Sequence, residues 1–234
     1  MAVKGSGQKT RDKILKTARK QFYEQGYTDT TLATISTEAD VNSAMVSYYF
    51  NGKLNLALEI YGTYMEDVKQ LVRKTARAIT PSEDLMLLTA IEVRVHTRNL
   101  QTSYKLARFM YELNQTCFFL SHEMITSDFF DTLARFYNLP VTVDEVKAVG
   151  IANYALTSAL SAARYEGAVD WSNAEQSNMV FRHFAHALSF DDAFIEKILS
   201  ESLRIFQMMD IYTTACFKPM SRKSQQFSED SGNV

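Results

Sequence analysis

The sequence predicts an all-α fold, and three observations carry that prediction. Only eight Gly and three Pro occur in 234 residues, which favours long uninterrupted helices over a many-turned sheet. Apolar residues recur in steps of three and four along most of the chain, the period of a helix with one buried face. Capping signatures stand where such runs begin, among them Thr142-x-x-Glu145 and Ser172-x-x-Glu175. Hydrophobic residues make up 46% of the chain, enough for a sizeable core, and the length allows one large domain or a small one beside a larger. No segment reads as a strand.

Met1 to Gly7 reads as a flexible start. From Gln8 to Glu24, Ile14, Leu15, Ala18 and Phe22 line one side of a first helix, and Gly26 supplies its left-handed stop. Thr30 or Thr31 caps a second helix, whose apolar face is Leu32, Ile35 and Ala39. Asp40 occupies the turn, because Asp tolerates left-handed backbone angles. Val41 plugs the angle between the helices. Asn42 or Ser43 caps a third helix, in which Val46 and Phe50 face inward and Ser43, Ala44, Ser47 and Tyr48 face out. A fourth helix opens at Gly52-Lys53 and runs to about Arg77, with Tyr61, Tyr64 and Val68 on its apolar side. Pro81-Ser82 breaks the pattern. Ser82-Glu83-Asp84 opens a fifth helix to about Gln101, and a sixth spans Ser103 to about Thr116. Another helix is expected from about Ser121 to Asn138-Leu139-Pro140. Three more reach about Tyr165, Leu188 and Ile211, and the polar stretch from Lys218 reads as a disordered tail.

The third helix suggests chemistry. Small, polar and aromatic residues on a free helical face suit the DNA major groove, which admits a helix and rewards close approach. The net charge of -2 says nothing of nucleic acid, but its distribution does. Between Met1 and Tyr23 stand seven basic residues and one acid, next to that helix. Other classes are excluded. Cys117 and Cys216 form no pairing motif, and His183 with His186 offers too few ligands for a closed metal site. No phosphate loop or nucleophile elbow occurs, so no enzyme activity and no cofactor are expected. No apolar run is long enough to span a membrane and no signal peptide core is present, so a cytoplasmic protein is expected.

From about Thr10 to Leu56 the chain resembles the helix-turn-helix of TetR-family (tetracycline-repressor-like) bacterial regulators. The resemblance rests on Ile14-Leu15, Ala18 through Phe22, Gly26-Tyr27, Thr31, Ile35, Ala39, Val41, Tyr48-Tyr49-Phe50 and Lys53. Four positions depart: Asp40 replaces the usual turn Gly, Ser36 a smaller residue, Ala44 a Gly, and Ser47 a frequent Tyr. The resemblance implies that residues 1–56 form a three-helix DNA-binding domain and residues 57–217 a larger helical ligand-binding and dimerisation domain. It implies a DNA-contacting set of Thr31, Asn42, Ser43, Ala44, Ser47, Tyr48, Tyr49 and Lys53, with Thr31 and Lys53 on phosphates and Ser43, Ala44 and Ser47 at base edges.

The second domain is rich in Phe and Met, which line adaptable apolar pockets. The residues expected at a ligand are Tyr61, Met65, Glu92, His96, Tyr104, Phe109, Met110 and Asn114. The small-residue face of the Thr142 to Tyr165 helix, with Trp171 to Met209, is expected to pair with a second copy. The implied function is a ligand-responsive homodimer on a pseudo-palindromic operator in double-stranded DNA, a repressor released by a small apolar or aromatic molecule. The alternative is a helical protein-interaction or small-molecule-binding module without sequence-specific DNA binding.

Overall fold

The computed structural model describes residues 3–117 and 128–221. Ten helices and one hairpin make up the described residues. The helices are α1 (Val3–Asp29), α2 (Leu32–Glu38), α3 (Ser43–Phe50), α4 (Lys53–Arg77), α5 (Leu85–Thr102), α6 (Tyr104–Cys117), α7 (Asp128–Phe136), α8 (Val143–Tyr165), α9 (Asn173–Ala187) and α10 (Asp192–Met209). None is long and apolar enough to cross a membrane.

Helix α1 begins at Val3, earlier than expected, so Gly5 and Gly7 are helical rather than part of a flexible start. It kinks at Gly26, whose φ of 83° is in the left-handed half of the map. Thr31, not Thr30, caps α2 by accepting from the Thr34 amide, while the buried Thr30 hydroxyl donates to the Gly26 carbonyl. Asp40 takes φ 47° and reverses the chain, and the Val41 amide closes the turn on the Ser36 carbonyl at 3.0 Å. Asn42 caps α3 through the Ala44 amide. Ile14, Ala18, Phe22, Ile35, Ala39, Val46 and Phe50 bury one shared core, and Leu56 and Ile60 of α4 extend it into the larger half.

Helix α5 is the central post of that larger half, packed by α4, α6, α9 and α10. Arg94 is buried in its middle. It donates to Ser202 and to the Leu199 carbonyl on α10 and to Asn178 on α9, so one guanidinium ties three helices. The expected capping boxes form at Thr142–Glu145 and Ser172–Glu175. Asp84 is the N-cap of α5, accepting from the Leu87 amide, rather than a first-turn residue. Helix α10 turns its apolar stripe of Ile195, Ile198, Leu199, Ile205 and Phe206 inward.

The end of the described chain corrects the expectation of no strand and of a disordered stretch from Lys218. After Asp210, at φ 46°, β1 (Ile211–Thr214) pairs antiparallel with β2 (Lys218–Ser221), with Ile211 opposite Ser221. The connecting turn presses Phe217 against the ring of Phe109 on α6 at 4.8 Å and edge-on to Tyr23 on α1 at 5.3 Å. Ser221 is tied back to the Met209 carbonyl. Phe118, Phe119, Met124, the expected helix start at Ser121 and the rest of the tail lie outside the described residues.

Candidate functional site

Two regions carry chemistry, and α6 lies between them. The first is the free face of α3. Its apolar side, Val46 and Phe50, is buried, so helical geometry turns Ser43, Ala44, Ser47 and Tyr48 outward. Tyr48 is 82% exposed. Asn42 and Thr31 are exposed too, although each side-chain oxygen already caps a helix. Tyr49 is only partly exposed, leaning edge-on against Tyr48 and towards Gly7 on α1. An exposed helical face of small residues flanked by one tyrosine can approach a groove wall closely and still reach a phosphate with its hydroxyl.

Lys53 is placed differently from the expected phosphate contact. Its ammonium donates to the carbonyls of Tyr27, Thr28 and Thr30, at 2.8, 3.3 and 2.8 Å, and lies over the Tyr27 ring. Those bonds occupy all three protons. Partial burial lowers its pKa, against the pull of Glu112 and Asp29. Lys53 thus clamps the α1–α2 joint. The basic cluster of α1 is also partly committed: Arg11 pairs with Glu59, Lys13 with Asp40 and Lys20 with Glu38.

The second region is a cavity of about 490 Å³ between α4, α5, α6 and α8. Tyr61, Met65, Glu92, His96, Tyr104, Met110 and Asn114 all line it. Phe109 does not. It is 1% exposed and stacked between Phe22 and Phe217, on the side of α6 that faces α1. One residue is a 100° step on a helix, which separates Phe109 from Met110. The sequence reading missed the α8 wall, where Asn153, Tyr154, Thr157 and Tyr165 line the cavity. The small-residue stripe of that helix points to dimerisation instead. The polar residues recurring between those alanines were the available signal. Tyr154 donates to Asn114 at 3.0 Å, joining two walls. His96 Nδ1 and Asn153 Oδ1 are buried with no hydrogen-bond partner among the described residues. Such orphans need a partner that a ligand can supply.

Burial sets the charge of this cavity. It pushes His96 down to about 4 from 6.5, so the imidazole is neutral. Burial likewise raises Glu92 from 4.5 to about 7; the opposing effects of Lys69 and Arg73 on α4 are smaller, and Glu66 adds to the rise. The two groups affect stability in opposite senses. For His96 the unfolded chain binds the extra proton, so its contribution is complete above pH 6.5 and is lost as pH falls through 4. For Glu92 the folded chain binds the extra proton, so its contribution is complete below pH 4.5 and is lost as pH rises through 7. The two nearly cancel between pH 4.5 and 6.5. We expect His96→Gln to lose about 1.4 kcal/mol of stability per pH unit on raising pH across that window, and Glu92→Gln to gain as much. Urea unfolding across the window checks this, and parallel curves for the two variants would refute it.

Opposite the cavity, α6 grips the end of α1. Lys105 pairs with Glu24, Arg108 donates to the Glu24 carbonyl at 2.8 Å, and Glu112 accepts from the Thr28 amide at 2.7 Å. Arg108 and Glu112 close around Gly26: a Cβ there would stand 2.6 Å from the Glu112 carboxylate. One helix therefore holds the cavity wall on one face and the α1–α2 joint on the other.

Residues 14–60 match the family described as bacterial regulatory proteins, tetR family. Over 104 residues the chain is 29% identical to a probable HTH-type transcriptional regulator, YttP, of Bacillus subtilis (strain 168). That match covers 44% of this chain and 49% of the relative, so the chain spans about half the length of the curated relative it matches. In fold it is similar to RolR, crystallised in complex with the ligand resorcinol, with a TM-score of 0.58 and 13% identity over 84% of this chain and 95% of the other. It is also similar to TylP, a TetR regulator from Streptomyces fradiae, with a TM-score of 0.45 and 18% identity over 86% and 97% of the two chains.

Proposed function

We propose that the chain, whose residues 14–60 match the tetR family of bacterial regulatory proteins, is a TetR-type regulator: a dimeric repressor released from its operator by a small aromatic molecule. Residues 1–56 read the DNA, and residues 57–217 bind the effector and the second subunit, in the cytoplasm where the DNA lies. Ser43, Ala44 and Ser47 face base edges. Tyr48, Thr31 and Asn42 reach the backbone, and Tyr49, on α3 between Tyr48 and Gly7 of α1, supports Tyr48. Lys53 acts by holding the α1–α2 joint, while the uncapped first turn of α4 offers amides to a phosphate.

Dimerisation falls to α8 and α9. Ile151 is 39% exposed and Met179 36%, and Ala152 and Ala159 are exposed beside Ile151. A second copy covering this face by two-fold symmetry buries those apolar groups. Two readers related by that axis require a pseudo-palindromic operator, with half-sites about one helical turn or more apart.

The observation that carries the reading is the double role of α6. A ligand that fits the cavity better in one position of α6 and α4 than in another shifts α1, and with it α3, because Glu24 and Thr28 are held from α6. The cavity size suits one small organic molecule, and its tyrosine walls suit an aromatic ring. The resorcinol of RolR is consistent with that size and type of ligand.

Fluorescence anisotropy with DNA from upstream of the chain's own gene, against scrambled DNA at two salt concentrations, tests it. Specific binding with a steep salt slope is expected. Tyr48→Ala and Ser47→Arg should each weaken specific binding by about 1–3 kcal/mol. Operator affinity unchanged in both would mean that α3 is not the reader.

A further inference from the structure

Resting on the cavity as the effector site, the charge of its wall narrows the ligand further. The wall carries five tyrosines, Tyr61, Tyr104, Tyr111, Tyr154 and Tyr165. Among the described residues Glu92 is its only carboxylate, with neither a hydrogen-bond nor an ion-pair partner. Arg164, the only permanent cation of the wall among the described residues, is already held by Asp170 and by the Trp171 carbonyl. His96 is neutral, so none of the described residues of the cavity answers Glu92. Lys69 and Arg73 act on it only from α4, and Glu66 opposes them.

We propose that the cavity selects a small organic ammonium ion, its charge against Glu92 and its body among the tyrosine rings. Ring faces attract a weakly hydrated cation through their quadrupole, and a carboxylate removed from water gains most from a neighbouring positive charge. A bulky alkylated or aryl ammonium satisfies both and loses little hydration on entry. An inorganic cation does not fit, because the wall offers rings where such an ion needs several oxygen ligands. An anionic ligand is disfavoured by the same carboxylate.

Phenyltrimethylammonium and its uncharged isostere tert-butylbenzene differ in charge and hardly in shape. Isothermal calorimetry of both, with phenol as a third probe, on the full chain at about pH 8, above the raised pKa of Glu92 so that its carboxylate is charged, tests the proposal. The ammonium should bind at least about tenfold more tightly than its isostere. Glu92→Gln should remove most of that preference while leaving the isostere's affinity within about twofold. Equal or tighter binding of tert-butylbenzene overturns the proposal, as does a preference that survives E92Q. The comparison on the unaltered chain needs no variant, so a misfolded E92Q would leave it decisive. Binding of phenol alone overturns the ammonium assignment and leaves the cavity as an effector site. No binding by any of the three overturns both.

Discussion

Phe109→Ala is expected to destabilise the chain by about 3–5 kcal/mol, the usual cost of emptying a large aromatic site in a closed core. Its ring is 1% exposed and stands between Phe22 of α1 and Phe217 of the hairpin turn, at 5.5 and 4.8 Å. Three segments far apart in sequence meet there, and none can collapse into the space without moving another. Phe217→Ala should cost a similar amount, because Phe217 is equally buried and also meets Tyr23 edge-on. The two losses should not add, since the rings touch and each variant removes the same contact. Chemical unfolding of both variants and the double variant measures this. Tyr104→Ala is the control: that ring is 66% exposed, and its loss should be small. A loss at Phe109 no larger than at Tyr104 would show that the hairpin does not hold α1 and α6 together.

Gly26→Ala is the second large effect. With φ 83° and ψ 178°, the backbone occupies a region that side chains other than glycine rarely enter, at a cost of about 1–3 kcal/mol. The new methyl would also lie 2.6 and 2.8 Å from the Glu112 oxygens and 2.9 Å from Arg108 Nε. Those side chains can swing away, but the Thr28 amide then loses its charged acceptor, worth roughly another 1.5–3 kcal/mol. Gly167→Ala separates the two effects. It has φ 77° with open space around it, so it should show the backbone cost alone. We expect Gly26→Ala to be the more destabilising and, unlike Gly167→Ala, to blunt the release of operator by ligand. Equal losses with an unchanged ligand response would mean that the α1–α6 grip carries no signal.

Helix ends and buried faces were legible in the chain because the interactions that make them span four residues or fewer. Thr31, Asn42, Thr142 and Ser172 cap helices by bonds to amides two or three positions on, and Asp40 and Gly26 turn the backbone by their own conformational range. Val46 and Phe50 could be turned inward on period alone, which left Ser47 and Tyr48 outward. Roles that depend on distant partners were not legible. Lys53 looks like a free cation at a helix start until the carbonyls of Tyr27, Thr28 and Thr30 surround its ammonium. Phe109 and Met110 are equivalent in any local pattern, and only the packing of α1 against α6 sends one into the core and the other to the cavity. The hairpin gave no signal because Ala215-Cys216-Phe217 contains no usual turn residue, and its left-handed angles at Cys216 and Phe217 are supported by stacking on α6. Short-range geometry is written residue by residue. A cavity, a clamp or a wedge exists only once side chains dozens of positions apart compete for the same space.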